Sequence, residues 1–456
     1  MAHFAIAGGV TVHVLLNKRN VGTSVSWIGV AWLSPFLGGL LYFAFGVNRV
    51  KRRAQRLRRE RSHLFVVDDV APDAPDAGPL TPLEYAVGRL TGLSAETGNS
   101  IQLLRNGDQA YPAMLAAIDG AEKSVGLCSY IFRDDKAGEA FIEALIRAQR
   151  RGVQVRVLID GIGSGYFWSG TNQRLKAAGV PVDRFLHSYV PWKTPFLNLR
   201  NHRKLMVIDG KLAFTGGINI GSENLLATKP PHPVRDTHFR IQGPVVEQLT
   251  EAFADDWLYQ TGERLLNEDW FPALHPVGDC VARVVTSGPD EDLEQIEFVM
   301  LHAISCARRS IRVVTPYFLP PEVLTTALSL AAMRGLTVDV VVPEESNHTV
   351  LDWARRVPLR VLLEAGCRVW LLPPPFDHSK LMTIDDAWSL IGSANWDTRS
   401  FRLNFELNVE IQDEEFARQL AEATHTGRQL MLSEIDSDSL LLRLRNSAAR
   451  LMQPYL

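Results

Sequence analysis

HRKLMVID at residues 202–209 and HSKLMTID at residues 378–385 are one stretch written twice. Each holds a His, a Lys two positions on and an Asp five positions after the Lys, with an apolar run between. GGIN at 216–219 and GSAN at 392–395 follow, and in both copies the Asn lies 17 residues after the His. Agreement over that distance is hard to credit to two unrelated strand ends, so the chain carries one site-forming unit in two copies.

The repeat extends outward from the motif. MLAAIDGAEKSV at 114–125 and MLHAISCARRSI at 300–311 share six identities, GVQVRVLID at 152–160 parallels GLTVDVVVP at 335–343, and Ala178-Gly179 parallels Ala365-Gly366. Helical spacing over 110–119 and 137–151 alternates with β-like runs over 124–132 and 153–159. That alternation implies an α/β fold with right-handed βαβ crossovers and a largely parallel sheet. The first copy is longer just before its motif, in HSYVPWKTPFLNLR at 187–200, which contains Tyr189, Trp192, Lys193, Phe196 and Arg200. This stretch is either a lid or membrane-facing lip of the site, or an ordinary packed connection.

A chain of 456 residues exceeds one ordinary core, so two to three domains are expected, two of them from the repeat. With 46% hydrophobic and 22% charged residues, wholesale disorder is excluded. The net charge of −3 conceals a strong local asymmetry in the N-terminal part. Cys128, Cys280, Cys306 and Cys367 show neither metal-ligand nor disulfide spacing and read as buried free thiols.

Residues 4–16 are apolar but shorter than the roughly twenty residues of a bilayer span, and are either an abbreviated second span that makes a hairpin or a re-entrant segment. Residues 26–47 carry no charge and, at about 1.5 Å per residue, reach across about 30 Å of hydrocarbon. Trp27, Trp32 and Tyr42 fit interfacial anchors, and Pro35, Gly38 and Gly39 are tolerated in a membrane helix. Arg49, Lys51, Arg52, Arg53, Arg56, Arg58, Arg59 and Arg61 follow directly, which places the rest of the chain on the cytoplasmic side and the cluster against anionic head groups. With no basic segment before Phe4 and no small-residue cleavage site, a cleaved signal peptide fits poorly. Residues 68–82, rich in Pro, Ala and Asp, read as a linker. The expected organisation is an N-terminal membrane anchor over 1–48, a basic segment and linker over 49–82, a first lobe over 83–270 and a second over 271–456.

One His, one Lys and one Asn per copy do not make a reaction; two of each do. Phosphodiester transfer needs a nucleophile on one side of phosphorus, an acid for the departing alkoxide on the other, and positive charge around the oxygens between. Near neutral pH one imidazole can be neutral and attack while the other is protonated and donates. The candidate catalytic set is His202, Lys204, Asp209, His378, Lys380 and Asp385, with Asn219 and Asn395 as substrate-binding amides. Asp209 and Asp385 enter as members of the motif, but their places before Gly210 and Asp386 are better explained by turn and backbone hydrogen bonding. Asp236 and Glu406, on strand-like runs downstream of each motif, are candidates to orient the histidines: Asp236 for His202 and Glu406 for His378. No metal is called for, because Lys is not a usual ligand and neither motif offers a second ligand at metal spacing.

On these residues the chain resembles the phospholipase D superfamily and, within it, the bacterial cardiolipin synthases. The closer likeness rests on FGVNRVKRR at 45–53, DGIGS at 160–164, RDTHFRIQGPVV at 235–246, DWLYQTGE at 256–263, TSGPD at 286–290, TPYFLP at 315–320 and GSANWDTRSFRLNFELNVEI at 392–411. It implies two pseudo-repeated phospholipase D-like lobes, each a mixed sheet flanked by helices, sharing one active site at their interface without a cofactor. It further implies a ping-pong reaction through a phosphatidyl-histidine, with His202 as nucleophile, His378 as acid and a second phosphatidylglycerol as acceptor. The expected setting is the bacterial inner membrane, with phosphatidylglycerol and other anionic lipids as partners. The alternatives are a phospholipase D-type hydrolase and a catalytically silent membrane scaffold that binds anionic lipid. A nuclease is disfavoured by the apolar N-terminus and the lack of an extended basic groove.

Overall fold

The computed structural model describes residues 2–17, 21–43, 80–187, 199–288, 294–424 and 427–453. The basic cluster at 49–61, the linker up to residue 79 and residues 188–198 of the stretch before the first motif lie outside them.

The strands of the first copy are β1 (Glu96–Arg105), β2 (Ser124–Ser129), β3 (Gln154–Asp160), β4 (Val182–Phe185), β5 (Arg200–Asn201), β6 (Leu205–Ile208), β7 (Leu212–Gly216), β8 (Val234–Arg235) and β9 (Thr237–Gln242). Those of the second are β10 (Cys280–Ser287), β11 (Ser310–Val314), β12 (Phe318–Leu319), β13 (Thr337–Pro343), β14 (Arg368–Leu372), β15 (Phe376–Asp377), β16 (Leu381–Ile384), β17 (Trp388–Gly392), β18 (Trp396–Asp397), β19 (Asn404–Gln412) and β20 (Arg428–Leu430). One sheet runs through both in the order β20-β14-β13-β11-β16-β17-β19-β10-β1-β9-β7-β6-β2-β3-β4. From the central pair outward the order in the first copy, β1-β9-β7-β6-β2-β3-β4, is repeated in the second as β10-β19-β17-β16-β11-β13-β14.

The join is the antiparallel pair β1–β10, with Glu96 opposite Ala282 and Asn99 opposite Cys280. Fully buried Asn99 closes it: its amide nitrogen donates to the carbonyls of Glu96 (2.6 Å) and Cys280 (3.2 Å), and its oxygen accepts from the Val245 amide (2.8 Å).

The sheet is mixed, as the family likeness implies, and the largely parallel arrangement inferred from alternation needs correction. Along the order given, β2-β3-β4 and β11-β13-β14 run parallel, while β6, β7, β9 and β1 pair antiparallel, as do their counterparts. The cause is local. Asp209 and Gly210 (φ 51° and 61°), like Asp385 and Asp386 (φ 55° and 53°), turn the chain straight back, so each motif strand makes a hairpin instead of a crossover.

The central strands SVGLCS, LMVI and LMTI are buried at every position, which a strand tolerates only where both faces are covered. Helix Lys136–Arg150 contributes Phe141, Ile142, Leu145 and Ala148 from one face and is capped by Asp135, which accepts from the Gly138 amide at 3.0 Å. Helix Thr81–Thr91 precedes the first copy in sequence, yet Leu83 and Val87 pack into the second core with Ile296, Val299 and Met300. Among the cysteines, Cys128 and Cys367 are buried free thiols, whereas Cys280 and Cys306 are only partly covered.

The N-terminal part forms a separate helical unit, with helices Ala2–Asn17, Val21–Leu33 and Pro35–Leu41. Val10, Val14, Ala31 and Tyr42 make its small core; the Trp32 indole donates to the Thr11 hydroxyl (3.1 Å), and the His13 ring contacts the Tyr42 hydroxyl (2.7 Å). The expected single span over 26–47 is not one helix. It breaks at Ser34, because Pro35 has no amide hydrogen to continue the ladder. No helix among the described residues is long and apolar enough to cross a membrane. The outward faces are nonetheless apolar, with Phe4, Leu15, Leu16, Val21, Leu33, Phe36, Leu40 and Phe43 exposed.

Candidate active site

Two short parallel pairings build the site. In β5–β19, Asn201 stands opposite Phe405, and the His202 amide donates to the Phe405 carbonyl at 2.9 Å. In β15–β8, Asp377 stands opposite Arg235, and the His378 amide donates to the Arg235 carbonyl at 2.7 Å. The next residue along each pair is the one that matters. His202 comes level with Glu406, Nδ1 to carboxylate 3.0 Å, and His378 with Asp236, Nδ1 to Oδ2 2.8 Å.

Asp236 and Glu406 are therefore the carboxylates on the two rings, but with the partners exchanged relative to the expectation. The physical reason is that β5 and β8 pair with strands of the opposite copy. Each imidazole is oriented from across the duplication.

Lys204 and Lys380 are buried. Nζ of Lys204 donates to the His202 carbonyl at 2.7 Å and lies 5.3 Å from the Tyr130 ring centre. Nζ of Lys380 donates to the His378 carbonyl and approaches His378 Nδ1 to 2.9 Å. Burial lowers Lys204 to about 7 and Lys380 to about 8, with Glu406 and Asp236, respectively, opposing most strongly. The Lys380 charge reaches His202 and the Lys204 charge reaches His378, so the four groups share one electrostatic site.

The two His–carboxylate pairs differ in charge state. Burial alone would raise Glu406, but the His202 ring, Lys204, and the Ser393 hydroxyl (2.5 Å) hold it below the usual carboxylate range; the Asn404 amide also donates to it (3.0 Å). Burial takes His202 down to about 4 against the pull of Glu406. His202 is thus a neutral ring with its hydrogen on Nδ1, facing a carboxylate, and a lone pair on Nε2. Asp236 is pushed up to about 8, by burial first, with Lys380 opposing and Asp377 adding to the rise. Gly217 stands where the second copy has Ser393, and a Cβ there would lie 2.1 Å from Asp236 Oδ1. Asp236 therefore has no hydroxyl at that position, and accepts instead from the Thr237 amide at 2.8 Å. His378 is held well below its ordinary value by burial, then by Lys380 and Lys204. An ammonium can only donate, so Nδ1 of His378, facing Lys380 and a protonated Asp236, accepts; the ring hydrogen is assigned to Nε2.

Asn395 is buried, and its side-chain oxygen has no partner among the described residues; Asn219 is half-buried, with its oxygen accepting from the Ile131 amide at 3.3 Å. Asp209 and Asp385 take no part in this cluster. The Asp209 carboxylate accepts from the amides of Glu122, Lys123 and Ser124, and that of Asp385 from those of Arg308, Arg309 and Ser310. They lock each motif hairpin to the neighbouring strand, so their place in the catalytic set is corrected. No group of three or more His, Cys, Asp or Glu side chains among the described residues is arranged to hold a metal ion.

Sequence reasoning missed Tyr130, whose ring is 4.8 Å from His202, and the roles of Ser393 and Asn404. The difference between GGIN and GSAN was a readable signal for Ser393; a single Tyr after β2 was not.

A duplicated mixed sheet that brings a His and a Lys from each copy into one buried cluster defines a phospholipase D-like fold. The family described as "Cardiolipin synthase, PLD-like domain" matches residues 114–257 and 300–426, and "Phospholipase_D-nuclease N-terminal" matches residues 6–46. Cardiolipin synthase of Geobacillus kaustophilus is 32% identical over 98% of this chain and 91% of its own length. Major cardiolipin synthase ClsA of Bacillus subtilis is 32% identical over 97% and 95%, and cardiolipin synthase A of Pseudomonas putida 33% over 98% and 95%. Phosphatidylserine synthase of Haemophilus influenzae shares the fold, with TM-score 0.61 and 16% identity, over 82% of this chain and all of that one. The chain belongs to the cardiolipin synthase family of the phospholipase D superfamily and is a phosphatidyltransferase.

Proposed function

We propose that the enzyme transfers a phosphatidyl group from one phosphatidylglycerol to the primary hydroxyl of another, releasing glycerol, through a phosphatidyl-His202 intermediate. The observation that carries this reading is the unequal surroundings of two otherwise equivalent His–carboxylate pairs: Glu406 accepts from the Ser393 hydroxyl and the Asn404 amide, where Asp236 accepts from the Thr237 amide. Unlike pairs mark separate base and acid roles.

In the first step Nε2 of His202 attacks phosphorus and the bond to the glycerol oxygen breaks. That oxygen takes the Nε2 hydrogen of His378, and the Asp236 proton passes to Nδ1 behind it. Phosphorylated His202 keeps its Nδ1 hydrogen and becomes cationic, which ionised Glu406 stabilises. In the second step the acceptor hydroxyl gives its proton to His378 Nε2, Asp236 recovers its own, oxygen bonds to phosphorus and the P–N bond breaks. Lys204 and Lys380 stand as point charges on the non-bridging oxygens, with Asn219 and Asn395 as amide donors.

The apolar faces of the N-terminal helices and the basic residues at 49–61 support residence at the inner membrane, with the catalytic part on the cytoplasmic side. Purified protein given phosphatidylglycerol in detergent, without added divalent metal, is expected to yield cardiolipin and glycerol. Exclusive formation of phosphatidic acid would replace this reading with hydrolysis.

A further inference from the structure

One helix of the second copy is turned inside out. In Leu440–Arg450 (LLLRLRNSAAR) Asn446 and Ala449 face the protein, followed just past the end by Gln453, whereas Leu441, Leu444, Ala448 and Leu451 recur at helical spacing on the exposed side. Leu441 is 78% and Leu451 81% exposed. A helix packed only for its own core points such residues the other way, so the fold does not account for the leucines.

The inward polar groups hold the helix in place. The Asn446 side-chain amide donates to Asp438 Oδ2 at 3.2 Å, and its oxygen accepts from Arg445 at 3.0 Å, whose guanidinium lies 4.5 Å from the Trp353 ring centre. Ala449 packs with Leu351 and Ala354 of helix Thr349–Glu364, which follows β13. Gln453 Nε2 donates to the Leu319 and Pro320 carbonyls at 2.9 and 3.1 Å. This clip sets the helix beside the site, because Leu319 ends β12 and the Tyr317 ring just before that strand is 6.1 Å from His378.

The first copy places a different element at the matching position. Phe132 bridges to Ile220, the residue after Asn219, as Phe318 pairs with Trp396, the residue after Asn395. The loop that follows β3 is clipped there: the Phe132 amide donates to the Ser164 hydroxyl at 2.9 Å, and the Thr171 hydroxyl donates to the Phe132 carbonyl at 3.1 Å. Two residues before Phe132, the Tyr130 ring edges His202 at 4.8 Å. From this loop Phe167 and Trp168 stand 80% and 72% exposed. Each wall of the site therefore holds large apolar side chains out in the open, on a loop in one copy and a helix in the other. Both lie beyond the carboxyl ends of parallel strands, the end of such a sheet where ligands bind.

The charge beside the leucines is one-sided. Helix Leu440–Arg450 holds Arg443, Arg445 and Arg450 and no acid. The acids just before it are taken, Glu434 by Arg428 (2.6 Å), Asp436 by Arg360 (3.0 Å) and Asp438 by Arg356 (2.9 Å). Among the described residues neither Arg443 nor Arg450, both exposed, is in an ion pair. Leucines flanked by arginines match an anionic bilayer surface, whose acyl chains take the former and whose head groups take the latter. We propose that Leu441, Leu444 and Leu451 on one side of the site, and Phe167 and Trp168 on the other, dock the catalytic part onto an anionic phospholipid surface. A phosphodiester then reaches the histidines while its acyl chains stay in the leaflet. This rests on the membrane residence proposed above and is independent of which acceptor takes the phosphatidyl group.

The test uses the full chain in vesicles of phosphatidylglycerol and acyl-brominated phosphatidylcholine. A fluorescent label is placed on single introduced cysteines, after Cys280→Ser and Cys306→Ser have removed the partly covered thiols. Labels at Trp168→Cys and Leu451→Cys should be quenched by the brominated chains. One at Glu122→Cys, exposed before the start of β2 and so at the far end of that strand from Tyr130, should not. A label at Leu15→Cys reports membrane residence by itself. Arg443→Gln should lower the docked-to-undocked ratio read at Leu451→Cys by about 5-fold, the worth of one arginine at an anionic surface. Quenching at Leu15→Cys with none at Trp168→Cys and Leu451→Cys overturns the docking surface alone. Absence of quenching at every position refutes the membrane residence, and the docking surface with it. Cross-linking of Leu451→Cys to a second copy in place of quenching would assign the leucines to an oligomer and also overturns the proposal.

Discussion

Glu406 receives hydrogen bonds from the His202 ring, Ser393 and Asn404, whereas Asp236 faces the His378 ring and, among the described residues, accepts only from the Thr237 amide. The consequence should be visible residue by residue. His202→Ala and His378→Ala should each abolish turnover, and acyl-labelled phosphatidylglycerol should leave a trapped phosphoenzyme in His378→Ala but not in His202→Ala. Near-normal turnover in either would sink the shared site. The pH profile of kcat/KM should have an acid limb from His202, at about 4, and an alkaline limb where Lys204, at about 7, and Lys380 and Asp236, at about 8, lose their protons. Asp236→Asn should lower the alkaline limb through Lys380, and Glu406→Gln should lower it through Lys204, each lysine losing the carboxylate that opposes its burial most strongly. Stability carries the same signs. A carboxyl raised from about 3.9 to about 8 binds its proton more tightly when folded, so its contribution falls as pH rises between those values. His202, lowered from about 6.5 to about 4, makes stability fall as pH drops through that interval.

At the scale of elements, β5 and β8 are two residues long, and they set which carboxylate meets which ring. The adjoining loop is equally tight. Gly217→Ala would put a methyl group against Asp236 Oδ1 and should cut turnover by about 10- to 100-fold, as disturbing a ligand's outer partner does, while circular dichroism and melting stay near wild type. Turnover within twofold of wild type would show that Asp236 has room to move. Much of this site was legible in the sequence. The paired His-x-Lys and the Asn residues were found from spacing, because short motifs keep their spacing through duplication, and the two supporting acids from their corresponding places on strand-like runs downstream of each motif. The exchange of partners was not legible, since a two-residue strand has no periodicity and the intra-copy guess was simply the shorter path. The hairpin after each motif was hidden for a similar reason: a buried LMVI reads the same in a parallel or an antiparallel ladder. In the N-terminal part hydropathy counted Pro35 as apolar, whereas the backbone counts it as a missing donor.

Across the whole molecule, the two copies are joined through the sheet rather than laid side by side. Asn99→Ala would leave the carbonyls of Glu96 and Cys280 and the Val245 amide short of partners, and should cost about 1–3 kcal/mol of unfolding free energy. Specific activity of the folded enzyme should be retained, since Asn99 touches neither histidine. Denaturant unfolding measured alongside transfer rates would separate the two effects, and a loss of rate without a loss of stability would contradict this. The exchanged carboxylates also bear on how such a chain can change over generations. Because each imidazole leans on an acid from the other copy, an alteration to one copy is judged at its neighbour's histidine. Grafting a single half from a distant relative therefore risks mismatched rings on both sides, and the pair must drift in step even where the substrate-facing walls diverge.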